Sequence, residues 1–232
     1  MKAGLILARL DSSRFPNKAI TDLGDKKLVQ WCIDGVKNAG GIEPILVTTT
    51  RVIDSPLIEV AKLNNIKFFK GDFENVAKRI FDCIHHFDID IFARINGDSP
   101  FVNKILLDKA LNLFDQDTTL DFVTNLLPRK FPYGLSVELM RSKTYKKYYN
   151  ELKSLDYQEH ITKWFYENLD LLNIFKLHYS YGNVHYVRFT VDTIEDHTNL
   201  EKFIHNNPNF DFYNSTVHEL VSRYTNKETI YK

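Results

Sequence analysis

The strongest constraint on this chain is a rhythm: through its first hundred residues, short β-rich apolar runs alternate with amphipathic helical stretches. That is the sequence form of βαβ units, in which helices cover a mostly parallel sheet. Ala3 to Ala8 reads as a buried first strand, Ile45 to Thr49 as a second, Ile66 to Phe69 as a third and Ile91 to Ile95 as a fourth. Helical periodicity puts Leu28, Trp31, Cys32, Gly35, Val36 and Ala39 on one face, and turns Val76, Ala77, Ile80, Phe81 and Ile84 inward on another helix. Ser55-Pro56 reads as an N-cap followed by a first-turn proline. Beyond a helix over Ile105 to Phe114, strand-like runs are expected near Phe122 to Asn125 and Leu135 to Met140, and helices around 143–152 and 158–168. Late strands over Leu172 to Tyr179 and His185 to Val191 precede closing helices.

At 232 residues the chain fits one domain, able to bury a core without disulfides or a structural metal. Lys plus Arg and Asp plus Glu are 30 each, so the formal charge is zero, which argues against a broad nucleic-acid-binding face. Cys32 and Cys83 lie in apolar stretches without metal or redox spacing and read as buried thiols in a reducing compartment. Arg9 stops the first apolar run short of a secretory core, and no later run is long enough to span a bilayer. A cytoplasmic protein with no membrane partner is expected.

The first strand runs into Ala8-Arg9-Leu10-Asp11-Ser12-Ser13-Arg14-Phe15-Pro16-Asn17-Lys18, which packs three cations, two hydroxyls and a proline into one loop. Open α/β sheets bind ligands at the carboxyl ends of their strands, where this loop lies. A polyphosphate calls for paired planar donors from Arg, a point charge from Lys, and small residues that let backbone N–H groups approach oxygen. A solvated basic turn fits the composition equally. Asn96-Gly97-Asp98-Ser99-Pro100 follows the fourth strand, so Asp98 belongs at the same edge, although a turn aspartate beside glycine also has a purely structural use. Far downstream comes Thr190-Val191-Asp192-Thr193-Ile194-Glu195-Asp196, where Thr193 and Asp196 read as an ordinary helix start. Two carboxylates at separate strand ends suit a hard, oxygen-liganded ion such as magnesium. The adjacent His85-His86 diverge on a helix and make no zinc site. Arg94 and Arg188 each stand four residues before one of these aspartates, on its strand face, free to pair with it or to take a substrate anion.

These segments resemble motifs of the cytidylyltransferases that activate acidic sugars, above all the spore-coat polysaccharide branch, related to the acylneuraminate and 3-deoxy-manno-octulosonate enzymes. Arg9, Ser12, Ser13, Arg14, Pro16 and Lys18 match the family's Ala-Arg-x-x-Ser-Thr-Arg-Leu-Pro-x-Lys loop; Asp11 and Asn17 stand where glycine is frequent, and Phe15 replaces leucine. Asp98 falls on Gly-Asp-x-Pro, and Asp192 on Val-Asp-Thr-Pro-Glu-Asp with Ile194 for proline. Phe122 to Arg129 is similar to Tyr-Val-Ser-Asn-x-x-Pro-Arg, Phe131 to Glu138 to Tyr-Pro-x-Gly-x-x-Val-Glu, and Glu159 to Thr162 to Glu-His-Val-Thr. The matches run in order from residue 6 to about 198.

The resemblance implies a three-layer α/β/α, glycosyltransferase-A-like fold with a mixed, mostly parallel sheet. It implies one domain over 1–232: a nucleotide half (about 1–118), an acceptor region with a possible dimerisation ribbon (about 119–190), and a metal-binding turn with closing helices (191–232). The implied reaction joins CMP from CTP to a sugar or sugar acid and releases pyrophosphate. Arg14, Lys18 and Asp98 would be catalytic, and Ala8, Arg9, Ser12, Ser13, Arg14, Lys18, Gly71, Asn75 and Asp98 would bind the nucleotide. Asn125, Arg129, Glu138, His160 and Arg188 would face the acceptor, with Mg2+ on Asp98 and Asp192. Base recognition would fall near Thr48 to Arg51 and Gly71 to Asn75. Asp11 adds a negative charge near the phosphates or positions Arg14. A transferase using another nucleotide or a polyol-phosphate acceptor, and an inactive nucleotide-binding subunit, fit the same residues. Trp164, Phe165, Tyr166, Tyr179 and Tyr181 read as core or as a homodimer interface.

Overall fold

The computed structural model describes residues 1–180 and 182–225, so Tyr181 lies outside the described residues. β1 (Lys2–Leu7) leads through the basic loop to a small ribbon, β2 (Asp22–Leu23) and β3 (Lys26–Lys27), and then to α1 (Leu28–Asn38). The alternation continues with β4 (Glu43–Thr49), α2 (Ser55–Leu63), β5 (Lys67–Gly71), α3 (Val76–His86), β6 (Ile91–Asn96) and α4 (Lys104–Gln116). The second half adds β7 (Phe122–Thr124), β8 (Glu138–Arg141), α5 (Ser142–Tyr148), α6 (Leu155–Glu159), α7 (Lys163–Glu167), β9 (Ile174–Lys176), α8 (Ile194–His205) and α9 (Val217–Thr225).

Seven strands form one sheet in the order β5-β4-β1-β6-β8-β7-β9. β8 runs antiparallel to both neighbours, and the remaining pairings are parallel. Parallel strands covered on both faces need continuous apolar runs rather than alternation. β1 meets that demand: Ala3, Gly4, Leu5 and Ile6 are all buried. One core layer joins α1, α2, α4, α8 and α9 to one face of the sheet, and a second joins α3, α5 and α7 to the other. The fold is therefore three-layer α/β/α. Each fully buried Leu or Ile contributes roughly 1.5–3 kcal/mol. The order turns back between β1 and β6, so the loops leaving these strands open a crevice at the carboxyl edge.

Several local expectations shift. Residues 185–191 form no strand; they touch the 131–134 segment through a single bridge, Tyr133 to Arg188. Tyr133 and residues 187–189 exchange two backbone bonds, but Val187 N–H donates to Val184 O, so a turn consumes the next position and the ladder cannot extend. The helix expected over 158–168 is broken at His160, whose ψ of 72° is not helical. That break buries Ile161 completely and leaves Glu159 and His160 beside the crevice. Ser55 is the first helical residue of α2 rather than its cap; Asp54 precedes it. Cys32 and Cys83 are buried and free. Burial raises both thiols, Cys83 to about 12, so neither is a thiolate at neutral pH. No helix among the described residues is long and apolar enough to cross a membrane.

Candidate active site

Between the loops that leave β1 and β6 lies an open cleft of about 420 Å³, a size suited to a small-molecule ligand. Ala8, Arg9, Ser12, Ser13, Arg14 and Lys18 line it from the first loop, Asn96, Gly97 and Asp98 from the β6 exit, and Glu159, His160 and Asp192 from the second half. A neighbouring void behind Arg94 measures about 20 Å³, too small for a ligand. Gly97 makes the convergence possible. A Cβ there would stand 2.8 Å from the Leu7 carbonyl oxygen and 2.9 Å from Ala8 Cβ, so bare backbone lets the Asp98 turn lie against the end of β1. Val191 N–H donates to the Asp98 carbonyl at 2.9 Å, which draws the distant Asp192 turn alongside.

Lys18 is the hub. Its Nζ donates to Asp98 Oδ2 at 2.8 Å, to the Val191 carbonyl at 2.8 Å and to Asp192 Oδ1 at 3.2 Å, occupying all three ammonium hydrogens. Arg14 reaches Asp192 Oδ1 at 3.1 Å, and Arg188 holds Asp192 Oδ2 at 3.0 Å. Two carboxylates and a carbonyl thus converge on one cationic nitrogen. Such a hard-oxygen donor set suits magnesium, which is ordinarily held by one or two carboxylates plus substrate phosphates. No cluster of three or more His, Cys, Asp or Glu side chains suited to a metal occurs among the described residues. Thr193 and Asp196 form a capping box on α8, and Asp196 also accepts the Asp192 N–H at 3.0 Å, fixing the turn that carries Asp192.

The loop's two unusual residues have local reasons. Asn17 adopts a left-handed conformation, φ 60°, which asparagine tolerates better than most residues with a side chain. Asp11 does not position Arg14. Its carboxylate takes Arg51 Nη1 at 2.6 Å and Arg9 Nε at 3.4 Å, because the β4 exit lies beside the loop whereas Arg14 turns toward Asp192. The Arg51 bond, aided by the nearby Arg9 charge, holds the Asp11 carboxyl below the usual carboxylate range. Arg9 also approaches Glu159, at 3.7 Å.

Gly71 and Asn75 support the cleft from outside it. A Cβ at Gly71 would stand 2.6 Å from Arg79 Cγ, and the Asn75 side chain caps α3 by accepting from Lys78 N–H at 2.7 Å. The expected acceptor residues divide. His160 is on the cleft and 64% exposed. Arg188 reaches the site through Asp192, and its guanidinium and that of Arg129 lie 4.9 and 4.3 Å from the centre of the Tyr133 ring. Asn125 is fully buried, its amide bonded to the backbone of Leu135 and Val137, so it shapes the β7–β8 connection and presents no polar atom to a ligand. Glu138 is likewise buried, with one oxygen on Arg94 at 2.7 Å and the other on the Tyr166 hydroxyl at 2.8 Å. Arg94 pairs with Glu138 rather than Asp98 because β8 lies beside β6. Both of these acceptor assignments are corrected by burial.

Sequence reasoning missed Arg79, which lines the cleft and is almost wholly buried, donating to the Asp72 and Phe73 carbonyls at 2.7 and 3.0 Å. Burial first, then the Arg9 charge, lowers its proton affinity. The available signal was an arginine at a position of α3 adjacent to the inward residue Ile80.

A model of the cytidylyltransferase family matches residues 3–226. A protein of Methanocaldococcus jannaschii is 26% identical over 94% of this chain and 88% of its own length. The Bacillus subtilis spore coat polysaccharide biosynthesis protein SpsF is 24% identical over 85% and 83% of the two chains. A 3-deoxy-manno-octulosonate cytidylyltransferase of Bdellovibrio bacteriovorus is 28% identical over 52% of this chain and 49% of its own. Among solved structures, a cytidylyltransferase of Leptospira borgpetersenii superposes with a TM-score of 0.90 at 26% identity, covering 99% of this chain and 95% of its own. By the span of that match and the motifs assembled around the cleft, the chain belongs to the cytidylyltransferase family.

Proposed function

We propose that this chain transfers CMP from CTP to a hydroxyl of a sugar or sugar-acid acceptor and releases pyrophosphate. The reading is carried by the convergence of Asp98, Asp192 and the Val191 carbonyl on Lys18, with Arg9 and Arg14 on the same cleft. Support for the acceptor class comes from the names of SpsF and the 3-deoxy-manno-octulosonate enzymes. Asp98 and Asp192 would hold a magnesium ion, which supplies charge neutralisation at phosphate oxygens. Arg9, Arg14, Ser12, Ser13 and the loop backbone would bind and orient the triphosphate. With Asp98 and Asp192 holding that ion, the Lys18 ammonium would turn from these carboxylates to the phosphates. The acceptor hydroxyl oxygen then bonds to the α-phosphorus and gives up its proton to solvent water, the bond from that phosphorus to its bridging oxygen breaks, and pyrophosphate leaves against Lys18. Positioning and charge neutralisation suffice for much of such a step. His160 and Glu159 line the cleft and would meet the acceptor there, while Arg188, which pairs with Asp192, would present a further cation to it.

A nucleotide substrate and two free, buried thiols suit a cytoplasmic enzyme. A homodimer is part of the same proposal, and the second half carries exposed apolar side chains such as Leu155 and Tyr186. The test is pyrophosphate release with each of the four ribonucleoside triphosphates, magnesium, and a panel of sugar acids and polyol phosphates. Release is expected with CTP and a sugar acid. Faster release with another nucleotide would reassign the donor, and CTP binding without release on any acceptor would mark a catalytically silent subunit.

A further inference from the structure

A carboxylate shielded from the cleft ties its phosphate loop down. Asp54, at the start of α2, is fully buried. Its Oδ1 accepts the Leu10 N–H at 2.7 Å, and its Oδ2 accepts the Thr49 hydroxyl and Arg51 Nη2, the latter at 3.1 Å. Arg51 gives its other terminal nitrogen to Asp11 Oδ2 at 2.6 Å and lays its guanidinium 3.6 Å from the centre of the Phe73 ring. The contacts Leu10–Asp54–Arg51–Asp11 therefore leave the loop and return to it at the adjacent residue. Holding the N–H of one residue and the side chain of the next restrains the peptide between them, and with it the direction in which Ser12, Ser13 and Arg14 set out. Arg51 and Phe73 stand at the exits of neighbouring strands, so the device joins three loops of the carboxyl edge.

We propose that Asp54 and Arg51 are positioning residues that build the triphosphate-binding loop before nucleotide arrives. Neither lines the cleft; they act through Leu10 and Asp11. A loop ordered during folding does not have to be ordered during binding, so the gain appears in nucleotide affinity. Substituting Asp11 removes the far end of the relay and leaves the Asp54 anchor in place. The inference rests on the nucleotide reading of this cleft, and its test includes a readout that needs no nucleotide.

Hydrogen exchange on the ligand-free protein should show the Leu10 amide exchanging at least about tenfold faster in Asp54→Asn, with β6 amides unchanged. In Asp54→Asn and Arg51→Gln, both the dissociation constant by calorimetry and the KM for CTP should rise about tenfold, with kcat at saturation within threefold and acceptor KM within twofold. Asp11→Asn should show a smaller rise of the same kind. The Asp54→Asn/Arg51→Gln double variant should be no worse than the worse single one, because both break one chain of contacts. If Asp54→Asn does not fold, Arg51→Gln and Asp11→Asn carry the test. CTP affinity within twofold of wild type in folded Asp54→Asn and Arg51→Gln, or in folded Arg51→Gln and Asp11→Asn where Asp54→Asn does not fold, would overturn the proposal and leave a merely structural role. Wild type that binds no nucleotide while its loop exchange still responds to Asp54→Asn would instead sink the functional reading.

Discussion

Lys18→Ala is expected to lower kcat/KM with CTP by roughly 10²- to 10³-fold, equivalent to about 2.7–4 kcal/mol of barrier, the scale of deleting one preorganised donor aimed at developing charge. The lysine is only 13% exposed and reaches three oxygens from the loops that follow β6 and precede α8. On the proposed reaction, a nitrogen held there would meet the negative charge gathering on the leaving pyrophosphate. Its removal also leaves Asp98 and Asp192 facing each other without the cation between them, so the variant should reach half of its own maximal activity at lower magnesium than wild type does. Steady-state pyrophosphate release across a magnesium series reads both effects. A Lys18→Ala enzyme within fivefold of wild type would remove Lys18 from the chemistry.

Asp98→Asn should abolish magnesium-dependent turnover, a loss of at least about a thousandfold, because the substitution keeps the side-chain shape and removes the charge that a hard cation needs. Asp98 has the stronger claim of the two carboxylates. Asp192 is shared among Lys18, Arg14 and Arg188, whereas the ion pair of Asp98 is with Lys18 alone among the described residues. Metal-free CTP should bind Asp98→Asn at least as tightly as wild type, since a negative charge beside the phosphates has gone. Calorimetry with and without magnesium separates these outcomes. Undiminished turnover in Asp98→Asn would require a different metal site.

Much of this architecture was legible in the residues. Parallel strands buried on both faces call for apolar runs, so Ala3 to Ala8 announced itself, as did Ile91 to Ile95 apart from Arg94, and the loops at their ends had to share an edge. The capping box at Thr193 and Asp196 is a local signal and was equally readable. What escaped depends on tertiary partners. Residues 185–191 carry β-rich composition, yet a turn at Val184 to Val187 allows only one bridge. Glu138 and Asn125 look like ligand-facing polar residues until β8 is seen beside β6, where burial commits one to Arg94 and Tyr166 and the other to its own backbone connection. Asp11 had three cations in its own loop to choose from, but its shortest ion pair is with Arg51, forty residues away in sequence, because β4 neighbours β1. Arg79 sits on a helix that reads as simply amphipathic, and only the close approach of Gly71 shows why its guanidinium reaches the cleft.

On the proposed function, one cleft holds a metal–triphosphate between the cations of the first loop and the aspartates near α8 and β6. A structure of the chain with CTP and magnesium tests it most directly. The account predicts an ion bound by both Asp98 and Asp192, with the Lys18 ammonium shifted from those carboxylates to the phosphates. A triphosphate bound away from Arg9, Arg14 and Lys18, or an ion that touches neither aspartate, would contradict it.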